Sequence, residues 1–415
     1  MKKYDLIVIG GGFSGVAAAI SAKRQGASVL LVEKGNSLGG AAANSLVTPF
    51  MPYWTNRDGK REYLTRGIFE EIHNALEKRG ALYYESFSEE ELKYILAKMV
   101  KDEGVELLLH AYLTGVCRKD EKIISVSVST IEGTIELYAD YFIDASANAQ
   151  LSYLAGVETR LGRASDSLCQ PMTLCFRLGN VDVDAFFRSY EGLSEEYKKS
   201  RESGEITNPR ENILVFKTPQ KNVLHFNTTR VIKKNPTSAL ELTEAELIAR
   251  EQVFEIYSFM KKHADGLKDS FLMMTGSEIG VRESRMIVGE HVLTEDECRS
   301  ATKHADRIAA CNYDIDIHNP EGAGTSHYYF KDGEYYTIPL RSLIPKGLDN
   351  MLVVGRCISA DHGAQASLRI MPVVCAIGEA GGTLIGLINK EKKSTREADV
   401  KTLQEVLRKN GAFIG

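Results

Sequence analysis

The chain has 415 residues, 43% hydrophobic and 26% charged, with a formal net charge of −5. That is long enough for two domains with a sizeable core, and the charge balance gives no general attraction to nucleic acid or to an anionic membrane surface. Seven cysteines (Cys117, Cys169, Cys175, Cys298, Cys311, Cys357 and Cys375) are scattered, odd in number and never spaced as CxxC. They predict free thiols in a reducing, cytoplasmic setting and argue against iron–sulfur clusters, structural zinc or a redox dithiol; no metal site is read from the sequence.

Lys2 and Lys3 precede a short apolar run that stops at three glycines, which makes it a strand rather than a signal peptide. From Tyr4 to Glu33 the pattern is strand, glycine turn, Ala-rich helix and second strand. Gly10, Gly12 and Gly15 fit the dinucleotide fingerprint, in which one glycine turns the chain, one admits a pyrophosphate against bare backbone and one lets helix and strand pack closely. Phe13 and Ser14 open the helix, whose N-terminus faces the anion. Glu33 ends the second strand, with Lys34 beside it, and is placed to bind a ribose diol; a carboxylate there disfavours a 2′-phosphate. The small-residue loop from Gly35, with Gly39, Gly40 and Ala41, would also let a ligand approach backbone.

Helical spacing follows over 67–80 and 88–103, the second opened by a Ser88–Glu91 capping box. Val105–Leu113 reads as a strand delivering Tyr112 and Leu113 toward the nucleotide. Residues 123–130 and 133–139 alternate as a meander, and Tyr141–Ser146, carrying Ala145 and Ser146, reads as a further buried strand. From Leu161 to Lys331 the texture changes to amphipathic strands, such as Met172–Leu178 and Ile213–Phe216, and to a long helix that Thr243–Glu246 would cap. The chain then returns to dinucleotide-domain character at Asp349–Arg356, a strand ending in Gly355 and Arg356. An Ala/Gly-rich helix follows from about Pro372; it holds Glu379, which suits a buried helix better than a membrane span. A last amphipathic helix covers Val400–Leu407. The predicted fold is α/β: a Rossmann-like nucleotide domain with a parallel sheet and β-meander, formed by 1–160 and 335–415, plus an inserted α+β substrate or cap domain over 161–334.

A second fingerprint is missing, since Gly322–Thr325 has neither a strand before it nor an apolar helix after it. An N-terminal fingerprint completed only by the last eighty or so residues is the organisation of a flavoprotein, in which the late strand reaches the ribityl chain and the helix behind it points its positive end at the flavin. Six runs carry a resemblance: Tyr4–Gly15, Gly39–Ala43, Phe142–Ser146, Glu278–Arg285, Ile338–Lys346, and Leu352–Ser359 through Ser367–Pro372. Together they resemble the FAD-dependent oxidoreductases of the glutathione-reductase fold, distant relatives of the fumarate reductase and succinate dehydrogenase flavoproteins. The resemblance implies FAD held by the residues named above together with Gly355, Arg356, Ser367 and Pro372, with Arg356 neutralising pyrophosphate. The chain departs from those relatives at Ala145–Asn148, where they usually carry Ala-Thr-Gly-Asp. In some of them a histidine near the glycine loop bonds FAD covalently; no histidine precedes His73 here, so the flavin is expected to be noncovalent.

With flavin carrying the hard chemistry, the protein has to position substrate and move a proton. His362 is the first candidate for acid or base. Arg369, Arg282 and Arg285 could hold an anionic substrate or the flavin edge, with a structural Arg282–Glu283–Arg285 network as the alternative. Arg341 is a further candidate cation for a conjugated carboxylate, and His225, His327, Tyr335 and Tyr336, with the aromatics of Asn44–Trp54, are candidates for the pocket wall. The expected activity is hydride transfer between FAD and a small organic molecule, by alcohol or amine oxidation or activated-alkene reduction, with an unidentified electron donor or acceptor. The competing reading is a flavin-binding subunit of a larger electron-transfer or modification complex.

Overall fold

The apolar run at the start of the chain forms β1 (Lys3–Ile9), whose inner residues Leu6, Ile7 and Val8 are fully buried, as a parallel strand covered on both faces requires. In the computed structural model, which describes residues 2–415, β2 (Val29–Val32) and β3 (Glu106–Leu108) continue the sheet in parallel on one side of β1. On the other side β4 (Tyr112–Lys119), β5 (Lys122–Thr130) and β6 (Gly133–Asp144) form an antiparallel meander, and the second half of β6 runs parallel to β1. β7 (Met351–Val353) comes back from the far end of the chain to pair in parallel with Phe142–Asp144, completing seven strands.

Two expected strands change here. Val105–Leu113 is divided at His110, whose φ of 55° breaks the extended run, so its halves serve different edges of the sheet. The meander strand and the buried strand after it are instead one twelve-residue element, Gly133–Asp144.

α1 (Phe13–Arg24) and α3 (Met371–Asn389) cover the sheet, and α2 (His362–Leu368) packs beside Ile315–His318. The Ala/Gly composition of α1 and α3 has a packing reason. Gly378, Gly382 and Gly386 recur every four residues along α3 and meet Ser14, Ala18 and Ala22 on α1. A Cβ added at Gly382 would stand 2.0 Å from the Ala18 carbonyl oxygen, so the two backbones touch. α3 is apolar enough to cross a membrane, but 89% of that stretch is buried inside the protein, as its glutamate led us to expect.

The middle of the chain builds a second core. Val215–Lys217, Leu224–Phe226, Phe176–Gly179 and Phe271–Thr275 form, in that order, an antiparallel sheet. It packs with the helices Val183–Glu202 and Ala239–His263. The longer helix starts at Ser238, whose hydroxyl caps it, and Thr243 lies inside its first turns. Ser88 sits at the start of Glu89–Asp102 without a side-chain cap bond. Buried residues of this second core run from Met172 to Ile279, whereas Leu293–Ile344 pack into the core around α1 and α3.

Candidate nucleotide and redox site

The fingerprint turn joins β1 to α1 against the end of β6. Gly10 has a φ of 108°, and a side chain there would stand 2.4 Å from the Ala145 carbonyl. A Cβ on Gly15 would meet the Gly10 carbonyl at 1.8 Å. Gly12 has only the Gly40 backbone near it, at 3.9 Å, and caps α1 without a side-chain bond, which leaves first-turn amides available to an anion. Buried Glu33 accepts the Gly11 and Gly35 amides at 2.6 and 2.8 Å and keeps a lone pair on each oxygen for a diol. Backbone bonds from His110 and Ala111 to Gly35 and Glu33 bring buried Leu113 to the same edge. The positive-φ turn at Gly355 sets β7's end against Ser14, 2.8 Å from where its Cβ would be. Arg356 follows it; its Nη2 donates to Asn148 at 2.8 Å, while its buried Nε has no partner, and burial pushes its pKa down to about 10. A bare backbone cradle and a buried guanidinium with an unspent donor fit a pyrophosphate-bearing cofactor.

Not every expected cofactor residue is free to serve. The Phe13 ring is buried with Phe50 and Phe69, so only its main chain can face a ligand, and Phe50 likewise packs rather than lining a pocket. Lys34 forms an ion pair with Glu278 at 2.8 Å. Ala41 opens a one-turn helix after Gly39 and Gly40, and Ala145 and Ser146 lie at the end of β6, where the Ser146 hydroxyl is taken by buried Asp144. The Ser367 hydroxyl is spent inside the fold, where α2 turns it to donate to the Tyr313 carbonyl and to accept from Tyr336 at 2.8 Å. Pro372 stands in the first turn of α3, as expected.

The second half of the site is a buried polar network. His362, at the start of α2, has Nδ1 2.8 Å from Glu283 Oε1, and the other oxygen of fully buried Glu283 accepts the Gln170 amide. With Nδ1 committed to the carboxylate, Nε2 is the free nitrogen. Gln365, one turn along α2, donates to the Arg282 carbonyl and meets Gln170 at 3.1 Å. Arg282 donates to the Pro171 carbonyl, the Thr173 hydroxyl and the Asn227 amide oxygen, all neutral. Burial, aided by Arg369 and Arg210, pushes its pKa down to about 9. Arg369 lies 3.6 Å from Asp316. Burial opposes the charge on that carboxylate, but the hydrogen bond from His318, with Arg369 and Arg282, holds it well below the usual range, and burial pushes the His318 pKa down.

The alternative Arg282–Glu283–Arg285 network does not form. Glu283 turns to His362, while Arg285, which opens the strand Arg285–Ile287, stacks on Tyr153, 4.1 Å from the ring centre. Arg341 is half exposed and paired with Asp306. His225 is buried with both nitrogens unpartnered, and burial drives its pKa down to about 3, so it is a packing residue. Tyr335 packs on Phe413, and Tyr336 belongs to the Ser367 network; His327 reaches the edge of the site, 3.8 Å from Asp316. Sequence reasoning missed Gln170, Thr173, Asn227, Asp316, His318 and Gln365. No local motif marks them.

A fingerprint sheet completed by a late strand, with a charged network beside the cradle, defines a nucleotide-dependent redox protein. Residues 5–407 match the family described as FAD dependent oxidoreductase, and the chain belongs to it. FAD is its cofactor and oxidoreduction its class of chemistry. Glutathione reductase of Debaryomyces hansenii is 33% identical over 117 residues, 26% of this chain and 24% of that protein. NADH:fumarate oxidoreductase of Klebsiella pneumoniae is 56% identical over 39 residues, 9% of this chain and 4% of that one. These matches therefore span about a quarter or less of the curated relatives. A geranylgeranyl bacteriochlorophyll reductase-like protein of Thermoplasma acidophilum superposes with a TM-score of 0.51 at 13% identity, covering 99% of this chain and 84% of its own, a likeness of fold alone.

Proposed function

We propose that this protein oxidises a small organic anion at a carbon bearing a hydroxyl or amine, using noncovalent FAD and a diffusible electron acceptor in the cytoplasm. The observation that carries the reading is Arg282, a partly accessible guanidinium whose hydrogen bonds go to neutral acceptors beside the Glu283–His362 pair. A guanidinium whose direct hydrogen bonds all go to neutral groups is stabilised by an incoming anion, and it matches a carboxylate in two parallel bonds. Arg369, which already shares Asp316, would add to the field on the same side. Bound FAD supplies the two-electron acceptor for hydride. His362 Nε2 takes the hydroxyl or amine proton, and Glu283 acts as a positioning residue that fixes the ring's tautomer and orientation. The segment from Met172 to Ile279 supplies the cap, through Thr173 and Asn227. The cradle's ligands would be Gly10, Gly12 and Gly15 with the α1 amides, Glu33 for the ribose, and Arg356 for the pyrophosphate.

Arg282 also favours the reverse direction, reduction of an alkene conjugated to a carboxylate, with His362 donating the proton. Anaerobic spectroscopy of the flavin separates the two. Hydroxy or amino acids that bleach oxidised enzyme support oxidation, and enoates that reoxidise reduced enzyme support reduction. Either response is expected to weaken about tenfold to a hundredfold in Arg282→Leu through the loss of charge-assisted bonds. Bleaching by neutral alcohols alone, or turnover only with a second stoichiometric protein, would overturn the proposal, the latter in favour of a subunit of a larger complex.

A further inference from the structure

We propose that His291, Glu297 and His304 bind one divalent transition-metal ion, of which Zn²⁺ is the type. His291 Nε2 lies 3.0 Å and His304 Nε2 3.3 Å from the same oxygen, Glu297 Oε1, and the three donors lie within 4.8 Å of one another. Ligands about 2.0–2.1 Å from a tetrahedral zinc are separated by about 3.3 Å, so the spacing to Glu297 is already that of a coordination sphere.

Each ligand is held by its own support. His304 Nδ1 faces the Thr337 carbonyl at 3.0 Å, and the His304 amide donates to the Thr337 hydroxyl at 2.8 Å. A carbonyl accepts only, so Nδ1 carries the proton, the usual outer-sphere arrangement of a metal-bound imidazole. Glu297 is the third residue of the short helix Glu295–Arg299, and a capping box with Thr294 ties down Oε2, 2.9 Å from the Thr294 amide and 3.1 Å from His291 Nε2, while Oε1 lies toward both rings. The consequence is electrostatic. A neutral His304 that donates from Nδ1 turns the lone pair of Nε2 toward a carboxylate oxygen 3.3 Å away. Two lone pairs face each other unless a cation stands between them, either a second proton on the ring or a metal ion. His291 brings a third donor to that point, which one proton does not need, and the side chains of His291 and Glu297 are 22% and 26% exposed, leaving an open side for water as a fourth ligand.

The site stands apart from the Arg282 network yet is joined to His362. The Leu293 amide donates to the Ser359 carbonyl and the Asp361 amide to the Leu293 carbonyl, and the Glu295 amide donates to Asp361 Oδ2 at 2.8 Å. Asp361 is in turn the cap of α2. A metal in this place braces the segment that presents His362, a structural tether with no part in the chemistry.

The test is equilibrium dialysis of the flavin-loaded protein against Zn²⁺, in a Cys117→Ser background because that thiol alone among the described cysteines is exposed. One zinc per chain is expected, with affinity at least about tenfold lower in both Glu297→Gln and His291→Gln at unchanged flavin content. X-ray absorption of the bound zinc is expected to show two imidazoles and oxygen ligands. Absence of stoichiometric zinc, wild-type affinity in either variant, or a spectrum with fewer than two imidazoles would each overturn the site and leave a proton-held cluster. If His291→Gln fails to fold, Glu297→Gln and the wild-type spectrum still decide.

Discussion

The two halves of the candidate site are made of different material. The nucleotide cradle consists of main chain and small residues drawn from short stretches: Gly10–Gly15, Glu33, Gly39–Ala41, Ala145 and Gly355. The redox side is built from polar and charged side chains contributed by distant segments: Gln170–Thr173, Asn227, Arg282–Glu283, Asp316–His318 and His362–Arg369. Recognition by backbone needs particular spacings of glycine, and these survive as a local pattern. Recognition by side chains needs only that the fold bring charges together, and it leaves no spacing to find. The two halves are therefore expected to fail in different ways when they are disturbed.

The largest effect expected is chemical. His362→Gln removes the free imidazole nitrogen, and the rate of flavin reduction by substrate should fall about 10²- to 10⁴-fold while bound flavin and melting temperature stay near wild type. Stopped-flow reduction against thermal melting checks the split; parallel loss of both would mean that His362 is a packing residue. On the cradle side the expected failure is of folding. Gly382→Ala places a methyl 2.0 Å from the Ala18 carbonyl, backbone that cannot rotate away, so α1 and α3 must separate. A cost of about 3 kcal/mol or more is expected by urea denaturation, with flavin loss following from movement of α1's N-terminus.

What could be read in advance follows the same division. The fingerprint, the late strand at Gly355 and the buried character of α3 were legible because each is a continuous run with one physical meaning. Ser367 was expected at the cofactor because its neighbours resemble a flavin-binding segment, whereas the helical phase of α2, which sequence alone did not set, turns its hydroxyl toward Tyr336. Glu283 was legible as an unusual acid between two arginines, but not its partner: His362 lies far along the chain and reaches it only because α2 returns over the Gln170 segment. The His291–Glu297–His304 group escaped for a related reason, since metal was sought in cysteine spacing and these ligands are held by a helix cap and a neighbouring strand.

A third test concerns Glu379, the one acid on α3, whose carboxylate accepts the Ile68 amide at 3.0 Å. Burial raises its pKa from an ordinary value of 4.5 to about 7. The native state therefore holds a proton that the unfolded chain releases. The stability this contributes is fully present below about pH 4.5 and is lost as pH rises through about 7, a change of up to about 3 kcal/mol. Glu379→Gln keeps an acceptor for Ile68 and cannot ionise. The difference in unfolding free energy between wild type and variant is expected to move in the variant's favour from pH 5 to pH 8 by roughly that amount. A pH-independent difference would show that Glu379 ionises within the fold without penalty.

The smallest effect is the sharpest control on the comparison, because it repeats the chemistry of Gly382→Ala with the opposite sign. Gly192 lies mid-way along the helix Val183–Glu202 in the second core region, on its exposed side, with no atom within 4 Å of where a Cβ would be and an ordinary helical φ. An alanine there meets nothing, removes conformational freedom from the unfolded chain and raises helix propensity, so Gly192→Ala should stabilise by about 0.5–1 kcal/mol. Flavin content and the rate of flavin reduction should not change, since this face of the helix touches neither the cradle nor the Arg282 network. If Gly192→Ala and Gly382→Ala shifted stability in the same direction, the glycines of α3 could no longer be read as a contact surface for α1, and the close approach of those two helices would need another explanation.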